Sequence, residues 1–183
     1  MDTEGADPDT VITDAQTRVE ALCDRHALAV VLEGVRWDTS SRAKRRAAAV
    51  RRPRVPDAHI GEPINWAETS FGHCPDVTLV LTLAAARSLA PVVWDGVLLH
   101  ELVHIEQFQQ FGATDHGSLF RARADAVGAP LSVPRFAKPR YALRCSTCET
   151  TVAERYRRSA VVTERHRYRS GCCDAPLMLI EHR

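Results

Sequence analysis

Leu98-Leu99-His100-Glu101-Leu102-Val103-His104-Ile105 sets two imidazoles and a carboxylate inside an apolar run. In a helix, residues i and i+4 share a face and lie about 6 Å apart along the axis. His100 and His104 can therefore grip one metal ion from the same side. Glu101 lies one residue round from His100, where its carboxylate reaches water beside the metal without becoming a ligand. Helix is expected on independent grounds. Pro91 suits a first helical position, Leu98, Leu99, Leu102, Ile105 and Phe108 form an apolar surface, and Gly112 suits a C-terminal cap.

Past Gly112, Ala113-Thr114-Asp115 can turn the chain and return His116 toward the first two histidines. Three protein ligands leave a fourth position open, which a catalytic Zn2+ keeps and a structural one does not. His116 read as an ordinary loop histidine is the alternative, and its Asp115-His116-Gly117 setting favours the ligand. The chemistry expected of the set is metallopeptidase action. Zn2+ on His100, His104 and His116 polarises a carbonyl, and Glu101 moves the proton from water to the leaving amine.

Four of the six cysteines fall near the C-terminus. Cys145-Ser146-Thr147-Cys148 is a CxxC knuckle, and Cys172-Cys173 follows about two dozen residues later. Thr150 to Tyr168, between them, is rich in β-branched and charged residues suited to exposed strands. A β ribbon holding a structural Zn2+, or iron, on Cys145, Cys148, Cys172 and Cys173 fits this layout. Other readings are a ribbon without its metal, or one of Cys172 and Cys173 acting with His166. Cys23 and Cys74 are read as small core residues.

The net charge of +1 over 183 residues hides segregation. Arg45, Arg46, Arg51 and Arg52 crowd one segment, and Arg157, Arg158 and Arg167 fall within the ribbon. Such arginines neutralise phosphates, with Tyr156 and Tyr168 available for base stacking, so DNA is an expected partner, single strands above all. The competing reading is a solvated, arginine-rich surface. Residues 1–10 lack the basic-then-apolar layout of a signal peptide, and Asp95, His100, Glu101 and His104 interrupt the apolar stretch, so no membrane partner is expected. Thiols spaced for metal rather than for disulfides point to a cytoplasmic protein, nucleoid-associated if it binds DNA.

HELVHIEQF followed by DHGSLF resembles the SprT-like zinc metalloproteases, the Spartan-related family. In that family the HExxH helix precedes a His-Gly loop with a Phe three residues on, matched by His116, Gly117 and Phe120. Phe71-Gly72-His73-Cys74 before Val77–Thr82 is similar to the family's Ala-Gly-x-Cys and its strand, and Val35-Arg36-Trp37 resembles the strand that opens its core. The resemblance spans roughly residues 15–183 and is strongest over 97–120. It implies a zincin-like α+β core, a terminal zinc ribbon, and peptide-bond hydrolysis in DNA-associated proteins, as in DNA–protein crosslink repair. The family's ribbon normally carries a second CxxC. Here Ser170 stands at the expected third cysteine, and the adjacent Cys172-Cys173 resembles the desulforedoxin-type knuckle. The alternative function is a DNA-binding zinc-ribbon protein influencing transcription elongation, with a weak or inert peptidase core.

The expected organisation is a disordered acidic lead over 1–12, a metalloprotease domain over 13–138 and a zinc ribbon over 139–183. Expected elements are a helix from Thr13 to His26, a strand from Leu28 to Trp37 broken at Gly34, and a basic helix through Val50. A strand follows at Val77–Thr82, offering an edge on which an extended substrate pairs. Helices are then expected at Ala84–Leu89 and from Ser118 to about Val127.

Overall fold

A computed structural model describes residues 7–182, which separate into two compact units, the first ending at Phe136 and the second beginning at Ala137. The first unit holds α1 (Pro8–His26), β1 (Val35–Ser40), β2 (Ala48–Arg51), β3 (Val77–Thr82), α2 (Leu83–Ser88), α3 (Pro91–Phe111) and α4 (Ser118–Val127). The second holds β4 (Tyr141–Cys145), β5 (Thr151–Arg155), α5 (Ala160–Thr163) and β6 (Leu177–Glu181). The chain is α+β. The HExxH sequence lies on a helix, and the cysteine cluster accompanies a separate antiparallel sheet that resembles a zinc ribbon.

Helix α1 begins earlier than Thr13. Asp7 accepts the Asp9 N–H at 3.3 Å and Pro8 takes the first helical position, a start that needs no apolar residue to announce it. Residues 8–12, expected to be disordered, are thus helical, and Val11 already joins the buried stripe of Ala15, Val19 and Leu22. Residues 1–6 of that lead lie outside the described residues. Arg18 ties α1 to α3 through Asp95 at 2.8 Å.

The sheet of the first unit has the order β1-β3-β2, with β1 parallel and β2 antiparallel to β3. Val77–Thr82 is therefore the central strand and offers no free edge. Its nearly unbroken apolar run suits a strand covered on both faces. Expectation also fails at residues 41–50, where Ala48–Arg51 is an edge strand instead of part of a basic helix. Alanine and arginine favour helix locally, but burial of Ala47 and Ala48 and two bonds to Thr82 outweigh that small preference. Upstream, residues 28–31 of the expected strand are irregular, Leu32–Gly34 forms a 3-10 turn, and β1 starts only at Val35.

Helix α3 is buried on nearly every side, with thirteen of its residues inside. It ends at Gly112, whose φ of 69° suits glycine and whose position a Cβ would fill to 2.7 Å from Ile64 Cδ1. In the second unit β4 is central, in the order β5-β4-β6, over a small core of Tyr141, Leu143, Val162 and Leu177. No helix among the described residues is long and apolar enough to cross a membrane.

The close approach at Gly112 generates a prediction. Gly112→Ala is expected to cost about 1–3 kcal/mol through the left-handed backbone and the crowding against Ile64. A urea-unfolding midpoint unchanged from wild type would contradict this.

Candidate metal centres

His100 and His104 project from α3, each only 9% exposed, while His116 is exposed on the loop that follows. The three Nε2 atoms converge. His104 Nε2 lies 3.1 Å from His116 Nε2, which lies 3.3 Å from His100 Nε2. Around a tetrahedral zinc with Zn–N about 2.0–2.1 Å, ligand nitrogens stand about 3.3–3.4 Å apart. The donor spacing therefore fits one such ion. Tautomers fit as well, because His100 Nδ1 lies 2.8 Å from the Pro130 carbonyl oxygen, and donating there leaves the Nε2 lone pair for a metal. Phe120, fully buried, touches all three rings: stacked on His104 at 4.3 Å, edge-on to His100 at 5.0 Å and to His116 at 4.7 Å.

Burial pushes the His104 pKa down to about 4, and the neighbouring His100 and His116 push the same way. His100 is lowered too, again chiefly by burial. Both are neutral, as ligands must be. Glu101 is 8% exposed, and its Oε2 accepts the Val50 N–H of β2 at 3.1 Å. Burial raises its pKa to about 7, opposed by that N–H and by the charge of Arg46.

The second cluster brings together Cys145, Cys148, Cys172 and Cys173, whose sulfurs all lie within 4.8 Å of one another; His166 is not among them. Two equivalent turns build it. The Cys145 N–H donates to Thr150 and the Glu149 N–H to Cys145, just as the Ser170 N–H donates to Ala175 and the Asp174 N–H to Ser170. Glu149 and Asp174, each directly after a cysteine, both take positive φ, 58° and 48°. Ser170 thus occupies the position of Cys145 in the second turn. It is buried, and its hydroxyl donates to Cys145 Sγ at 3.2 Å. That bond, ahead of backbone donors, draws the Cys145 thiol down to about 6. Cys172 and Cys173 are raised, above all by hydrogen bonding of their thiols to Cys148. A cation can take the place of the protons such sulfurs share, and Zn–S near 2.3 Å asks for sulfurs about 3.8 Å apart; Cys148 and Cys172 stand at 3.4 Å.

The arginines are more dispersed. Arg45, Arg46, Arg157 and Arg158 are exposed. Arg51 pairs with Asp38 at 3.3 Å and Arg167 with Glu164 at 2.5 Å. Arg52 is engaged inside its own unit, bonded to Thr114 at 3.0 Å and resting over Phe108, so it is poorly placed for a phosphate. Sequence reasoning overlooked the Pro130 carbonyl, the Val50 N–H and Gln107. Only Gln107 left a signal, a polar residue one turn beyond His104 on a buried helix.

Neither the known family models nor the characterised proteins compared with this chain contain a match. The metal-binding architecture consequently rests on the two ligand clusters themselves.

Glu101 and His104 carry opposite pH dependences in the metal-free protein. Between its ordinary 4.5 and about 7, folded Glu101 holds a proton that the unfolded chain has released, so its contribution to stability falls as pH rises through that window. Folded His104 refuses until about 4 a proton that the unfolded chain takes near 6.5, so stability falls as pH drops through that range. In chelator, Glu101→Gln should gain on wild type by up to about 3 kcal/mol between pH 5 and pH 8. Urea midpoints at the two pH values check this, and a constant difference would contradict it.

Proposed function

We propose that the chain is a zinc-dependent metallopeptidase that cleaves peptide bonds in DNA-associated proteins, a SprT-like activity of the crosslink-repair type. The convergence of three imidazole nitrogens beside a buried carboxylate carries the reading. A structural zinc has no use for that carboxylate or for an exposed third ligand.

Zinc held by His100, His104 and His116 would supply a Lewis acid with one open position. The remaining work falls to the chain. The Val50 N–H fixes Glu101 Oε2, leaving Oε1 to take a proton from the attacking water and return it to the leaving amine. Phe120 closes the floor below the imidazoles and keeps bulk water out from that side. The substrate strand pairs with β2 in place of β3. Pairing on an antiparallel edge alternates, so Ala48 and Val50 turn their backbone groups away from β3; Glu101 takes the Val50 N–H, which leaves the Ala48 N–H and carbonyl and the Val50 carbonyl for a substrate. Arg45 and Arg46, exposed just before β2, and Arg157 and Arg158 in the second unit provide phosphate contacts, single-stranded DNA being the favoured partner. This assignment places the protein in the cytoplasm, at the nucleoid.

The test is cleavage of a DNA-bound protein with and without single-stranded DNA. Wild type is expected to cleave faster with DNA, and Glu101→Gln to retain zinc while losing about 100-fold or more of the rate. Equal cleavage by the variant would refute the catalytic assignment. A rate indifferent to DNA and salt would refute the DNA-directed part.

A further inference from the structure

His116 comes from outside the metal helix, 12 residues beyond His104 and past the stop at Gly112. A ligand on an exposed loop is useful only if something holds that loop in register with α3. The buried residue that does so is Gln107, 5% exposed and one turn beyond His104. Its Oε1 accepts the Asp115 N–H at 3.1 Å, and its Nε2 donates to Asp115 Oδ1 at 3.2 Å. The same Oδ1 accepts the Gly117 N–H at 2.9 Å. Asp115, before His116, is therefore fastened to an amide on the metal helix, and Gly117, after it, is fastened to Asp115. Gly117 belongs to the clamp, since a Cβ there would stand 2.7 Å from Asp115 Oδ2.

Burying a primary amide is unfavourable unless its donor and acceptor are both used, and here one two-sided contact uses both. An apolar residue of similar size would fill the same buried position on α3 and hold nothing. We propose that Gln107 is a positioning residue that acts through Asp115 to deliver His116 as the third metal ligand. The inference rests on the metal site described above and adds to it the element that completes the ligand set.

The measurement is zinc affinity at the histidine site of the full chain, by chelator competition. The zinc on the four cysteines serves as internal control for an intact second unit. Gln107→Ala is expected to weaken the histidine site by about 10–100-fold, the range for loss of a group that orients a ligand. In a His116→Ala background the same change is expected to do nothing further, because the residue through which Gln107 acts is gone. Asp115→Ala cuts the side-chain half of the clamp, the Oδ1 bonds to Gln107 and Gly117, keeps the backbone half, and should weaken the site by a smaller factor. It also serves if Gln107→Ala does not fold. Unchanged affinity in Gln107→Ala, or in Asp115→Ala where the former does not fold, or a further loss from Gln107→Ala in the His116→Ala background, would overturn the proposal. Wild type binding no zinc at the histidines would overturn the site itself, a distinguishable result.

Discussion

Burying His100, Glu101 and His104 on an apolar helix is unfavourable unless their polar heads are used, and most of the first unit is arranged around that constraint. The Pro130 carbonyl answers His100, and the Val50 N–H answers Glu101. His104 retains a buried Nδ1 with no hydrogen-bond partner and directs its other nitrogen at His116. Backbone groups from chain segments 30 and 51 residues away thus converge on one turn of helix. That convergence explains why β2 is a strand: only an extended edge presents an outward N–H to Glu101 while bonding to β3 with its alternate residues.

The same constraint divides what could be read from sequence. Helix α3 was legible because apolar spacing, Pro91 and Gly112 agree, each for its own local reason. The third histidine of the cluster was legible by residue type and setting. Its partners were not, since a carbonyl or an N–H carries no residue signature and Pro130 and Val50 look ordinary in sequence. Residues 41–50 misled because their alanines and arginines favour helix by tenths of a kcal/mol each, less than the tertiary contacts at stake. The position of β3 was available but misjudged: Val77, Leu79, Val80 and Leu81 are all buried, as a central strand requires.

The two candidate metal centres solve opposite problems. The cysteine site is built from two copies of one turn, and Ser170 keeps the hydrogen-bonding part of the missing cysteine while Cys172 brings in the fourth sulfur. Four protein ligands leave no position for substrate. The histidine site stops at three and leaves its third ligand exposed, with a carboxylate held a residue away. A four-donor and a three-donor cluster thus occur in separate units of one chain, the arrangement that suits one structural and one catalytic metal.

The zinc content of the purified chain, read by native mass spectrometry, tests this account most directly. Two zinc ions are expected in wild type, one in a His100→Ala/His104→Ala variant, and one in a Cys145→Ser/Cys148→Ser variant. A histidine variant that keeps both ions, or a wild type that holds only the zinc lost with its cysteines, would contradict it.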